Sequence, residues 1–208
     1  MDENMKKRNE RLAQTVIKGL QSRNMTGYYA EDKEAALKQA LELIEENSTI
    51  SMGGCMSAHE IGLVQALQEG NYQYLDRSKM EHREGLLAAY DSDVFLSSAN
   101  AMTSDGILVN IDGNSNRVSC IAQGPKKVIF IVGMNKVCDD LDSAMKRARN
   151  VAAPINAQRF EVKTPCKETG KCFDCKSPDT ICCQFLITRY SRHTGRIHVI
   201  LVNDNLGF

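Results

Sequence analysis

Eight cysteines occur in the 208 residues, and five of them, Cys166, Cys172, Cys175, Cys182 and Cys183, crowd into the stretch CKETGKCFDCKSPDTICC. That stretch is polar and carries Gly170 and Pro178, so it reads as a loop with no core of its own, in need of a staple. Cys166, Cys172, Cys175 and Cys182, with five, two and six residues between them, are spaced to wrap one inorganic centre. Two chemistries fit. A cubane iron–sulfur cluster takes four cysteines, often with one C-x-x-C pair and loose outer spacing. Zinc takes a tetrahedral knuckle, usually built from two C-x-x-C pairs. Only one such pair is present, which favours the cluster and leaves zinc as the alternative. Cys183 is a spare or substitute fourth ligand. A third possibility is an empty or disulfide-paired set, although thiols of a reducing cytosol point to a metal more than to disulfides. Cys120 and Cys138 read as packed thiols.

A second constellation surrounds TISMGGCMSAHEIGL. Thr49 to Met52 reads as a buried strand, Gly53 and Gly54 turn the backbone, and Ser57 with Glu60 has the S-x-x-E spacing of a helix capping box. Free N–H groups at such a positive helix end suit an anion. Gly53, Gly54 and Ser57, with Lys126 or Lys127, are the candidate ligands of a carboxylate or phosphate. Asn100, Asp105, Asp112 and Asn116 are the candidate rim. Glu60 is a candidate base or nucleophile, although its capping role is the plainer one. Cys55 is either a nucleophile at a helix start or a small residue filling a tight turn. The turn is favoured, because no base stands at a fixed local spacing.

These residues need a scaffold. Between Asp93 and Gly133 lie four apolar runs, VFLSS, ILVNI, VSCIA and KVIFIVG, all short enough and flanked by enough Gly, Asp and Asn to read as strands. The unbroken Val128–Val132 suits a strand covered on both faces. Amphipathic helices are expected over 3–24, with Met5, Leu12, Val16 and Leu20 on one face for packing or dimer formation, and over 33–46, 78–90 and 139–151. QFLITRY and RIHVILV flank His193-Thr194-Gly195 and read as a closing hairpin. The expected fold is α/β, a three-layer sandwich with a mainly parallel central sheet flanked by helices. One domain spans 1–208, with a cysteine-rich loop at 165–183 before the final hairpin. Basic and acidic residues balance at 26 each, so nothing predicts nucleic-acid binding. The N-terminus lacks a signal-peptide core and no run approaches a membrane span, so a cytoplasmic protein is expected. No G-x-G-x-x-G or G-x-x-x-x-G-K-[ST] loop occurs, which removes the common nucleotide fingerprints.

SMGGCMSAHEIGL, SSANAMTSDGILVNIDGNSNRV, GPKKVIFIVG, NVAAPINAQR, the cysteine segment and GRIHVILVNDNLGF together resemble the lactate-utilisation (LUD) domain family, in the subgroup with cysteines near the C-terminus. The resemblance runs from about residue 8 to the end, with the motifs in family order. It implies a fold similar to the sugar-phosphate isomerase and CoA-transferase superfamily. It also implies a role in bacterial lactate oxidation beside iron–sulfur oxidoreductase subunits. The family position of Cys55 is usually Ser, which argues against an obligatory cysteine nucleophile. Three functions follow as expectations: an accessory or electron-transfer component of hydroxy-acid oxidation, a stand-alone isomerase or CoA/acyl transferase, or a module that binds an organic acid without turnover.

Overall fold

The structure is a computed structural model and describes residues 2–208. Its strands, in chain order, are β1 (Thr26–Ala30), β2 (Thr49–Met52), β3 (Gln73–Tyr74), β4 (Val94–Ser97), β5 (Ala101–Thr103), β6 (Leu108–Asp112), β7 (Lys127–Gly133), β8 (Val137–Cys138), β9 (Gln184–Thr188) and β10 (Ile197–Val202). The central sheet has six strands in the order β1-β10-β7-β4-β2-β3, and every neighbouring pair is parallel. Parallel strands bury both faces, and the side-chain alternation of β7 shows it. Val128, Phe130 and Val132 enter one apolar core, while Ile129 and Ile131 enter the other. β10 does the same with Val199 and Leu201 against Ile200 and Val202.

The helices are α1 (Glu3–Ser22), α2 (Lys33–Glu42), α3 (Met56–Glu60), α4 (Leu63–Glu69), α5 (His82–Tyr90), α6 (Asn116–Ala122), α7 (Leu141–Arg147), α8 (Ala153–Ala157) and α9 (Pro165–Thr169). α1 covers one face of the sheet with Ala13, Val16 and Leu20, whose spacing of three and four is the stripe a helix buries. Met5, expected on that stripe, is half exposed, and Asn9 takes the buried place, donating to Asn203 Oδ1 at 3.0 Å. α2, α3 and α4 cover the opposite face through Ala36, Ala40, Ala58, Leu63 and Leu67. Among the described residues no helix is long and apolar enough to cross a membrane.

Two sequence expectations change. Val118–Ala122 lies in α6, not in a strand. A five-residue apolar run has no period that separates the two, and here Asp112 decides the matter. Its carboxylate accepts from the N–H groups of Arg117 at 3.0 Å and Val118 at 3.1 Å and so fixes a helix start. The closing hairpin does not form either. β9 pairs antiparallel with β6 in a second, four-stranded sheet ordered β8-β5-β6-β9, while β10 inserts between β1 and β7. α7 runs without a break through a π-helical turn, Ala148–Ala152, into α8. The wider turn accommodates Pro154, which has no N–H to donate.

Candidate functional site

All strands of the central sheet point one way, so Met52, Ser97, Gly133 and Val202 end at a common carboxyl edge. From β2 the chain moves outward to β3, and from β4 it moves back across the sheet to β7 and β10. The gap between the ends of β2 and β4 is therefore a topological switch point, where open α/β sheets hold their ligands.

Lys136 occupies this gap. It follows β7 in a short 3₁₀ turn, is 2% exposed, and donates to Ser98 Oγ at 3.0 Å and Ser57 Oγ at 3.4 Å. Burial pulls its pKa down to about 8, against the opposing field of Cys55 and with the help of Arg147. Two guanidinium groups stand nearby. Arg117 donates to the carbonyls of Ser98 and Ile111 and to Asn100 Oδ1. Arg147 donates to the carbonyls of Asn135 and Asn100. Burial lowers the pKa of both. Among the described residues none of these three cations has a carboxylate within ion-pair distance.

The structure sorts the candidate ligands. Gly53, Ser57, Asn100 and Asp112 gather around Arg117 and Lys136. A Cβ on Gly53 would stand 2.7 Å from Arg117 Cγ, so this glycine exists to let the arginine stem pass. Gly54 faces open space. Ser57 does not cap α3, whose N-cap residue is Cys55, and Glu60 instead accepts from Gly207 N–H at 3.1 Å. No capping box is therefore formed. The Asp112 carboxylate is taken up by backbone N–H groups, and Asn116 opens α6 at the same turn. Cys55 is buried, and burial pushes its thiol pKa up, which is the wrong direction for a nucleophile. Lys126, Lys127 and Asp105 lie at the amino edge instead. Lys126 pairs with Asp93 at 2.8 Å just before β4, Lys127 donates to the Leu43 carbonyl, and Asp105 is held by Arg23 beyond the end of α1.

The cysteine loop makes a second site. Cys166, Cys172, Cys175 and Cys182 line one cavity of about 60 Å³, together with Arg149, Phe173 and Phe185. Cys166 is carried on α9, which ends at Gly170 in the left-handed region at φ 74°. Arg149 reaches from the π-helical turn to Asp174 at 2.6 Å and to Cys172 Sγ at 3.9 Å, and the Asp174 N–H donates to the same sulfur at 3.5 Å. Cys183 N–H donates to the Asp112 carbonyl at 2.9 Å, which ties the loop to the start of α6. Cys183 is itself exposed and outside the cavity lining. Burial, reinforced by the neighbouring thiols, pushes Cys182 up to about 11. Among the described residues no three His, Cys, Asp or Glu side chains are gathered tightly enough to hold a single metal ion. Four thiols around one cavity, with a cation and a backbone N–H aimed at one sulfur, are nonetheless a donor set that fits a cluster.

The model of the LUD domain matches residues 13–202. The chain belongs to the LUD domain family. A crystal structure of a DUF162 family protein from Deinococcus radiodurans, at 1.70 Å resolution, superimposes with a TM-score of 0.53 at 12% identity, covering 93% of this chain and 98% of that one. At that identity the likeness is one of fold. No curated protein matches the chain. The sheet edge of this LUD domain contains residues that sequence reasoning passed over: Ser98, Arg117, Lys136 and Arg147. One signal was present. Lys136 is the first charged residue after the fully apolar Val128–Val132, and residues just beyond such a strand stand at the carboxyl edge.

Proposed function

We propose that this LUD domain is a redox component of small hydroxy-acid metabolism, carrying an iron–sulfur cluster on Cys166, Cys172, Cys175 and Cys182 and exchanging electrons with an iron–sulfur oxidoreductase subunit. The observation that carries the proposal is the convergence on one cavity of four thiols from the segment 166–182. The single C-x-x-C pair at Cys172 and Cys175, where a zinc knuckle is usually built from two, supports a cluster over zinc. When bound, a cluster supplies one-electron transfer. The protein's own residues do the rest. Arg149 and the Asp174 N–H offset negative charge at Cys172, while Phe173 and Phe185 supply apolar wall to the same cavity. The association of the family with lactate utilisation supports a hydroxy acid as the electron source.

The test is anaerobic preparation followed by iron, sulfide and zinc analysis. Expected are iron and sulfide in near-equal amounts, a visible absorption band bleached by dithionite, and loss of both in Cys172→Ala and Cys182→Ala. Stoichiometric zinc without sulfide, or iron content indifferent to all four cysteines, overturns it.

A further inference from the structure

We infer that Lys136, Ser57 and Ser98 form a binding site for the carboxylate of a small organic acid, and that the segment Asp204–Phe208 is the lid now seated on it. The site begins with a charge imbalance. A buried ammonium normally has a carboxylate partner, and Lys136 has two hydroxyls in its place. An ammonium carries three N–H donors, so one of them has no protein acceptor among the described residues. Arg117 and Arg147, both turned onto neutral oxygens, add positive field without competing for the ligand. The acids nearest at hand are already engaged: Asp112 by backbone N–H groups and Glu60 by Gly207. What the ammonium and its two hydroxyls lack is one negative charge with two acceptor atoms, which is a monocarboxylate. A phosphate dianion asks for more donors than one ammonium and two hydroxyls supply.

The lid is read from the far side of the same atoms. Gly207 lies directly over the ammonium: a Cβ there would stand 3.1 Å from Lys136 Nζ and 3.2 Å from Ser57 Oγ. Its φ of 53° is in the left-handed region, so a side chain at this position would be both strained and crowded. The segment is tied most firmly at its base, where the Asp204 carbonyl accepts from Met134 N–H at 3.1 Å, the Asp204 carboxylate pairs with Lys33 at 3.7 Å, and buried Leu206 exchanges hydrogen bonds with the Asn135 side chain. Nearer the tip, Gly207 N–H donates to Glu60. Arg159 stands 5.7 Å from the centre of the Phe208 ring. This inference rests on the redox proposal only for the choice of lactate among the probes. Binding is read without a partner or turnover, so the two fail separately.

The test is calorimetric titration of the full chain with L-lactate, pyruvate, acetate and inorganic phosphate. Gly207→Ala, which crowds Lys136 Nζ and Ser57 Oγ and strains the backbone at φ 53°, weakens the seating of the lid and is expected to bind at least one of the three carboxylates several-fold more tightly than the unaltered chain, because it disfavours a competing closed state. Lys136→Met in the same background is expected to lose roughly ten-fold or more, the worth of a charge-assisted hydrogen bond. In the unaltered chain the acid is expected to speed hydrogen exchange at the Leu206 and Gly207 amides, a readout that needs no variant to fold. The inference is overturned if no carboxylate binds Gly207→Ala at millimolar concentration. It is overturned equally if Lys136→Met binds unchanged, if phosphate outbinds every carboxylate, or if exchange in the tail slows on binding.

Discussion

Replacing Lys136 with Met is expected to stabilise the protein. Burial takes the ammonium from 10.5 to about 8, and each pKa unit is worth about 1.4 kcal/mol. Holding the charge in the fold therefore costs on the order of 3 kcal/mol at neutral pH. Against this, the variant gives up the bonds to Ser98 and Ser57, about 1 kcal/mol or somewhat less for each, and the two hydroxyls, 3.5 Å apart, remain within reach of one another. The net gain is ~1–2 kcal/mol, or roughly 2–8 °C in Tm for a chain of this size. The pH dependence has a definite sign. The folded pKa is the lower one, so between about pH 8 and 10.5 the unfolded chain holds more protons and the unaltered protein gains stability as pH rises. The advantage of the variant is thus full below pH 8 and gone above 10.5. Guanidinium unfolding of both proteins at pH 7, 9 and 10.5 measures it. A variant less stable by more than about 1 kcal/mol at pH 7, or a difference flat across the series, would mean that the ammonium is well satisfied where it sits. The case for a missing carboxylate would then fail.

Asp112→Ala removes the acceptor of the Asn114, Arg117 and Val118 amides and should lower unfolding stability by ~1–3 kcal/mol; a loss under about 0.3 kcal/mol in urea titration would show that α6 does not depend on it. Asp93 is held well below the usual carboxylate range by Lys126 and then by the Thr49 N–H and hydroxyl. Its contribution is present above the unfolded pKa and lost as pH falls below the ordinary range, so Asp93→Asn should flatten the acid limb of the stability curve below about pH 4; an acid limb identical to that of the unaltered protein refutes this. Arg149→Leu removes a cation from Cys172 and should lower the reduction potential of the proposed cluster, since positive charge favours the reduced state. An unchanged potential at full iron content would count against Arg149 as a tuning residue.

The strands were legible because their apolar runs are long relative to the turns between them: Val94–Ser97, Leu108–Asp112, Lys127–Gly133 and Ile197–Val202 all stand close to where the runs place them. What was not legible was pairing. β9 looked like half of a hairpin because a tight glycine joint follows it, but its partner β6 lies more than seventy residues upstream, as the register Leu108↔Thr188 shows. The same limit governs the site. The cysteines declare themselves through local spacing. Lys136 meets Ser57 across 79 residues and Ser98 across 38, separations that no motif records. Lys126 and Lys127 were grouped with the glycine loop for want of strand direction. They begin β7 where Lys136 follows it, so one strand length separates the expected cation from the one present.

The two sites meet on a single helix. Arg147 closes α7 and Arg149 stands two residues on, in the π-helical turn, and they leave different sides of the helix, the first toward Asn100 and Asn135, the second toward Cys172 and Asp174. A helix is about 10 Å thick with its side chains. Across a separation of at least that thickness, a unit charge at Lys136 would act on a centre in the cysteine cavity with at most ~1–2 kcal/mol at an effective dielectric constant of 20, before screening. Because the charge is negative, it should disfavour the reduced form of the proposed cluster, and saturating carboxylate should lower its reduction potential. Linkage then requires the acid to bind the oxidised protein more tightly than the reduced one, by the same factor. Spectroelectrochemical titration with and without acid, paired with calorimetry on each redox state, measures both halves. A potential that does not move at saturation would mean that the helix separates the two sites electrically as well as physically. The acid pocket and the cysteine cavity would then have to be treated as independent devices on one scaffold.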